Sequence, residues 1–386
     1  MARRRPGREP AHVVSGRRLA RTRHIAGRAS PLKASDRKIT VLAWGHSKYA
    51  RDRASQLLGD RSDVAVEGGI PGISGAVLAF SSVIRWRPRV TYLVDVGLST
   101  TAAALAARLL RRRIVLDTGD VAFELAKSVG GRSPVALASV WLGERFLLRS
   151  ADHLVVRGTE HLGLVSPRPA THAPDIPPLE ARPVSDDGLK ARLGLHGRFV
   201  VGLVGSLRFA PKLGTSYGWD LIEALAHTPP HVAALIVGDG DGLPRLRQRA
   251  TTLGVVDRCR FVGRVPPSDV PSYIGAMDVG ISTQTNDIVG AVRTTGKLPL
   301  YLACGCPVLA SDVGEARRLL GPLGWTVPYE GVVDRGYPIR LAQAISAWAE
   351  SPSPRQRQEA LSLARREFDP AQIRKRIHWI IDDQLQ

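Results

Sequence analysis

The chain predicts an α/β protein of two serial domains, each a parallel sheet wrapped by helices, facing each other across a cleft. Three observations predict it. Short apolar runs alternate with helical stretches from Ile39 onward, the pattern of parallel strands buried on both faces. A stretch from Ser166 to Asp187 breaks that alternation with six prolines. The alternation then restarts and continues to the end of the chain.

In the first half, strands are expected at Ile39–Ala43, Val90–Val94, Arg113–Leu116 and His153–Val156. Helices are expected up to Leu58, over Thr100–Leu110, and over Ser133–Arg149, where Ser133 caps and Pro134 sits in the first turn. In the second half, strands are expected at Phe199–Val204, Val232–Val237, Arg260–Val262, Val279–Ser282 and Pro307–Ala310. Helices are expected at Trp219–Ala226, Gly242–Leu253, Pro267–Gly275, Leu298–Ala303 and Gly314–Leu320, with three more closing the chain. The resulting boundaries are a disordered basic tail at 1–38, a first domain at 39–170, a Pro-rich linker at 171–188, a second domain at 189–365, and a C-terminal helix at 366–386 that can cross back to the first domain.

Composition bounds the function. A hydrophobic share of 44% with 23% charged residues is that of a soluble globular protein. The net charge of +19 is partly a tail property, since residues 1–38 hold 12 Lys/Arg against 2 Asp/Glu. The remaining body is only moderately basic, so specific nucleic-acid binding is not expected. Three cysteines give no disulfide framework and fit a reducing compartment. No run reaches the ~20 apolar residues of a membrane span, and no apolar segment follows Arg3–Arg5 to make a secretory signal. The location expected is cytoplasmic.

Two loops carry the chemistry. Val200–Ala226 and Gly296–Asp312 each join an apolar strand, a glycine-bearing loop and a helix, with Val237-Gly238-Asp239-Gly240 between them. Backbone N–H groups at such strand–loop–helix junctions suit an anion. Arg208, Lys212 and Lys297 stand in or beside these loops, and a nucleotide diphosphate is a common cellular anion for such a site. Thr294-Thr295-Gly296-Lys297 suits phosphate or ribose; the alternative is an ordinary Thr-capped helix start with an exposed lysine. Asp239-Gly240-Asp241 has the spelling of a metal-binding pair but reads better as a helix cap, and no Cys/His cluster has zinc spacing, so no metal site is expected.

The order of these pieces resembles the retaining glycosyltransferases of the GT-B fold, glycosyltransferase family 4. The segments carrying the resemblance are G-S-L-R…G-W-D-L-I-E-A-L from Gly205, V-G-D-G from Val237, L-G-V-V-D-R-C-R-F-V-G-R-V from Leu253, A-M-D-V-G-I-S from Ala276 and K-L-P-L-Y-L-A-C-G-C-P-V-L-A-S-D from Lys297. In the first half, E-R-F-L-L-R-S-A-D-H-L-V-V from Glu144 also matches. The resemblance implies a nucleotide-diphosphate-sugar donor on the second domain and an acceptor on the first. It implies metal-independent transfer with retention, and no cofactor beyond the nucleotide-sugar substrate. Donor contacts are then expected from Gly205, Ser206, Arg208, Lys212, Asp239, Arg264, Val265, Thr294, Thr295, Gly296 and Lys297. Acceptor-side candidates are His46, Asp120 and Glu124.

Two departures stand out. The family's ribose-binding Glu is Leu300 here, its usual partner is Val292, and its first-domain His is Gly119 within Asp117-Thr118-Gly119-Asp120. These positions support a second reading, a catalytically silent relative that binds a nucleotide-sugar or a partner protein in a bacterial polysaccharide pathway. Finally, the apolar stretch 72–84 followed by Arg85, Arg87 and Arg89 reads first as a packed helix with solvated arginines. Its alternative is peripheral contact with an anionic membrane, on the inner face.

Overall fold

A computed structural model describes residues 39–184 and 187–386; the basic tail falls outside the described residues. The first lobe runs β1 (Val41–Gly45), α1 (Lys48–Leu58), β2 (Val64–Gly68), α2 (Gly72–Trp86), β3 (Val90–Val94), α3 (Leu98–Leu109), β4 (Arg113–Thr118), α4 (Ala122–Val129), α5 (Pro134–Ser150), β5 (His153–Val156), α6 (Thr159–Val165) and β6 (Ala170–His172). Its six strands are all parallel, in the order β2-β1-β3-β4-β5-β6. β1, β3 and most of β4 are buried outright, as their unbroken apolar runs require.

The second lobe contains α7 (Asp187–Arg192), β7 (Phe199–Val204), the small hairpin β8 (Phe209–Ala210) and β9 (Thr215–Ser216), α8 (Trp219–Leu225), β10 (Val232–Val237), α9 (Leu243–Thr252), β11 (Cys259–Gly263), α10 (Val270–Gly275), β12 (Val279–Ser282), α11 (Ile288–Val292), α12 (Lys297–Ala303), β13 (Val308–Ser311), α13 (Gly314–Leu320) and β14 (Thr326–Val327). The sheet order is β11-β10-β7-β12-β13-β14, all parallel. Numbered within the lobe this is 3-2-1-4-5-6, the doubly wound nucleotide-binding order, whose crevice opens between the first and fourth strands, here β7 and β12. Helices α14 (Tyr337–Glu350), α15 (Pro354–Glu367) and α16 (Pro370–Leu385) follow.

The last helix returns to the first lobe, as the fold class predicts. Ile373, Ile377, Ile380 and Ile381 of α16 are buried in one cluster with Val41, Tyr92 and α1 side chains. Their spacing of three and four residues puts all four on one helical face. Each contributes about 1.5–3 kcal/mol relative to exposure. Asp369 caps α16 by accepting from the Ala371 amide, and Pro370 occupies its first turn.

Several elements were not expected. β2, β6 and β14 have only half-buried or two-residue apolar content, and α4, α6 and α11 are short helices. β6 crosses the boundary at 170/171, because the sheet takes one more edge strand before the proline-rich stretch. The insertion Phe209–Tyr217 is an antiparallel hairpin.

Candidate functional site

Loops at the carboxyl ends of both sheets meet. Thr294 Oγ1 donates to the Arg157 carbonyl at 2.8 Å, Arg293 Nε lies 3.1 Å from Asp120 Oδ1, and Lys212 Nζ donates to the Lys127 carbonyl at 3.4 Å. The buried Glu315 carboxylate accepts from both the amide and the hydroxyl of Thr159. The edge of each lobe must therefore be read together with what the other presents to it.

On the second lobe, β7 runs into Gly205 at φ 144°, a backbone conformation suited to glycine. A Cβ at Gly238 would sit 1.8 Å from the Gly205 carbonyl oxygen, and one at Gly205 would sit 2.7 Å from Cε of Lys297. The two glycines thus let three chain segments converge. Lys297 lies across Gly205 with its Nζ 3.7 Å from the Tyr217 ring centroid. No carboxylate pairs with it among the described residues. Burial, with Arg293 adding to it, pushes its pKa down to about 7. It is not the solvated lysine of an ordinary helix start. Tyr301 is fully buried, and its hydroxyl accepts from the Val204 amide at 2.7 Å, pinning α12 to the end of β7.

The remaining donor-side candidates divide. Ser206 and Arg208 are exposed on the loop after β7. Lys212 is also exposed, but its hairpin carries it toward Lys127 and Gly130 of the first lobe. Asp239 accepts from the neighbouring Gly240 amide, and Asp241 from the Phe209 amide. Helix α9 begins at Gly242 with no side-chain cap, so the helix-cap reading of this Asp pair is corrected: both carboxylates brace loops. Gly263 stands at φ 83° with its carbonyl accepting from the Gly238 amide at 2.8 Å; Arg264 is exposed and Val265 packs on the core. Thr294 is buried and committed to the first lobe, so its hydroxyl is not the free ligand group expected. Gly296 caps α12 without a side chain, and Thr295 supplies only its carbonyl, to Leu298. A Cβ at Gly296 would lie 3.6 Å from Tyr49 Oη and 3.7 Å from Asp175 Oδ2, both of the first lobe. Leu300 packs on the second-lobe core and Val292 is fully buried.

The first-lobe edge holds a network that sequence reasoning missed. Arg53 Nε donates to Asp117 Oδ2 at 2.9 Å, its Nη1 to Asp175 at 3.0 Å, and its Nη2 to the Ala173 carbonyl at 2.8 Å. Arg157 Nη2 reaches Asp95 at 2.5 Å and its Nε reaches Asp117 at 3.3 Å. The Tyr92 hydroxyl donates to Asp117 Oδ2 at 2.6 Å. Arg53, Asp117, Arg157 and Asp175 are all buried. Burial raises the Asp95 pKa against the opposing pull of Arg157. A Cβ at Gly119 would fall 2.5 Å from Arg157 Cδ and 3.0 Å from its Nε. The room that a side chain at 119 would need is taken by the Arg157 side chain. The signal was present: Arg157 directly follows the apolar run of β5, at the carboxyl end of a strand.

Of the acceptor-side candidates, His46 directly follows β1 with Nδ1 3.2 Å from Ser99 Oγ, and its ring fills the space beside Gly97. Burial lowers its pKa, with Asp95 opposing. Asp120 is engaged by Arg293, and Glu124 pairs with Lys127 at 3.4 Å on half-exposed α4.

Residues 198–350 match the family described as "Glycosyl transferases group 1". The chain is 29% identical over 153 residues to a 2-deoxystreptamine N-acetyl-D-glucosaminyltransferase of Streptomyces fradiae, covering 38% of this chain and 34% of that one. It is 28% identical over 177 residues to a 2-deoxystreptamine glucosyltransferase of Streptomyces kanamyceticus, covering 45% and 43%. The match thus spans well under half the length of these curated relatives. Anabaena HepE, solved in complex with UDP, superposes with a TM-score of 0.69 at 20% identity, over 89% of this chain and all of that one. That likeness establishes the two-lobed GT-B architecture.

Proposed function

We propose that the chain is a glycosyltransferase that moves a sugar from a nucleotide diphosphate to an acceptor, with retention and without a metal. The observation that carries this reading is the Lys297 ammonium beside Gly205, with no carboxylate partner among the described residues, at the β7–β12 crevice where a doubly wound sheet takes its nucleotide. A cation held partly out of water with no internal counter-charge is matched by an incoming diphosphate. The family match over the second lobe and the activities named for the relatives support the same donor class.

In this reading Lys297, Arg208 and Lys212 neutralise the diphosphate, with the backbone of Gly205, Ser206, Thr295 and Gly296 lining it. The strand end at Arg264-Val265 offers main-chain groups to the base, and Asp239 orders the loop between. His46 and Glu124 face the acceptor, joined by Asp120 once Arg293 releases it. The donor C1–O bond breaks and the acceptor oxygen bonds to C1 on the same face. The departing diphosphate oxygen takes the acceptor's proton. The protein then acts by stabilising diphosphate charge and orienting the acceptor. A cytoplasmic place in polysaccharide assembly fits this chemistry.

The second reading, a silent nucleotide-sugar binder, is favoured by Leu300, Val292 and the filled space at Gly119. Incubation with UDP-, GDP-, ADP- and dTDP-sugars decides, with thermal shift and donor hydrolysis read together. Stabilisation plus turnover supports the transferase, stabilisation alone supports the silent binder, and neither with any donor sinks both.

A further inference from the structure

The face of the first lobe formed by α2, α3 and α5 carries side chains that the proposed reaction does not use. These three helices cover one side of the first sheet: Ala79 and Val83, Ala103 and Ala107, and Leu147 pack inward in one cluster with Leu42, Leu93 and Leu116. α1 and α16 cover the other side. Outward, the same three helices present large apolar groups to solvent. Ile73 and Val135 are 77% and 79% exposed; Val77 and Ile84 extend the α2 stripe and Leu142 that of α5. Between them α3 exposes Leu105 and Leu109. The spacings of four, seven and eleven residues keep each stripe on one side of its helix. Isolated exposed apolar residues are ordinary, but three adjacent helices that each expose a stripe form a patch.

Charge is segregated on this face. No charged residue occurs from Gly72 to Ile84, from Leu98 to Ala107, or from Ser133 to Gly143. Arginines then close each helix: Arg85, Arg87 and Arg89 after α2, Arg111–Arg113 after α3, and Arg145 and Arg149 in α5, although Arg113 is paired with Asp152 at 3.2 Å and Arg89 donates to the Leu385 carbonyl. Arg145 lies over the half-exposed Trp141 ring at 4.8 Å. The one carboxylate in these helices, Glu144, is turned inward to the Ala122 and Phe123 amides. The nearby Glu67 is held by Ser82 and Trp86. The apolar end of α2 follows the carboxyl end of β2, and the arginine-bearing ends of α2 and α5 lead into the amino ends of β3 and β5, so the apolar ends lie toward the cleft and the arginines at the opposite ends. Among the described residues no helix is long and apolar enough to cross a membrane.

We propose that the α2–α3–α5 face docks on the surface of an anionic bilayer, with apolar side chains entering the interface and the arginines meeting lipid phosphates. The charge pattern selects this occupant: an uncharged apolar field bordered by cations, without a free carboxylate on its helices, complements acyl chains below a layer of negative headgroups. Docked this way, the lobe holds the open side of the cleft near the bilayer surface. This inference does not depend on the transfer reaction, because binding is read without a donor.

The test is co-sedimentation of the full chain with phosphatidylcholine vesicles, with and without phosphatidylglycerol, at low and high salt. The wild type should sediment with the anionic vesicles and be partly released by salt. The double variant Ile73→Asp/Val135→Asp should lose bound fraction about tenfold or more while keeping its melting temperature, since both positions are exposed. A second variant, Arg85→Glu/Arg149→Glu, should lose binding to a similar degree and alters no buried group. Residues 1–38 are present in every protein, so a difference between variants belongs to the face. Wild type left in the supernatant, or both variants sedimenting like wild type, overturns the proposal. So does size-exclusion chromatography showing that Ile73→Asp/Val135→Asp turns a wild-type dimer into a monomer, because the face would then meet a second copy of the chain.

Discussion

The two edges of the cleft handle charge in opposite ways. On the first lobe, Arg53, Arg157, Asp95, Asp117 and Asp175 satisfy one another with help from the Tyr92 hydroxyl and main-chain carbonyls. On the second, Lys297 is held over Gly205 with an aromatic ring as neighbour and no carboxylate partner among the described residues. A completed network gives a fixed shape. An uncompleted one leaves an electrostatic deficit that only something outside the chain can fill. The first edge is therefore read as scaffold and the second as ligand site, although the first contains more charge.

The sharpest break of that contrast is Asp117→Ala. It removes the carboxylate shared by two buried guanidinium groups and should cost about 3–5 kcal/mol, seen as a lower denaturation midpoint in urea. An unchanged midpoint would mean that the network is not structural. Lys297→Met should act on the other property, weakening UDP or the cognate diphosphate by roughly 10–100-fold, the equivalent of a charged hydrogen bond of about 1.5–3 kcal/mol. Because it removes a poorly solvated charge, the ligand-free variant should melt higher than wild type at pH 6. Calorimetry showing equal affinity in both proteins would move the diphosphate elsewhere.

Gly119→Ala should cost about 1–3 kcal/mol through crowding of Arg157 and leave diphosphate affinity unaltered; a melting curve and a titration together check it. Within the second lobe, pH acts in two opposing directions. Lys297 falls from 10.5 to about 7, so its cost to the ligand-free fold is complete below about 7 and is relieved as pH rises toward 10.5. Asp220 is raised from 3.8 to about 7 by burial, with Glu223 and Asp334 adding to it, so its contribution is lost as pH rises from 3.8 through about 7. Diphosphate affinity should fall as pH rises through about 7 in wild type and stay flatter in Lys297→Met. Parallel profiles would remove Lys297 from the site. The smallest effect belongs to Arg293→Ala, which opens the partly exposed pair with Asp120 and should change stability by under about 1 kcal/mol.

The second lobe was legible because local sequence encodes it. β7, β10, β12 and the Gly-bearing turns at Gly205 and Gly238 sit in contiguous runs whose apolar period and glycines can be read directly. Lys297 was legible as a cation near a loop, but its isolation was not, since that depends on which carboxylates fail to reach it. The first-lobe network was opaque for the same reason. Residues 53, 95, 117, 157 and 175 are brought together only by sheet order, and no spacing links them. Edge strands β6 and β14 escaped because three- and two-residue segments carry no periodicity. Thr294 was read as a ligand group because a buried hydroxyl's partner on the other lobe, the Arg157 carbonyl, leaves no mark in sequence.

The returning helix α16 sets an order on how this protein is made. Val41 and Ile381 share a core although 340 positions separate them. A ribosome emits most of the first lobe before the second lobe and α16 only after it, while the second-lobe core clusters include no residue of α16. The first lobe is thus completed only after the second has been synthesised, and until then the nascent chain lacks the helix that covers Val41, Val90 and Tyr92.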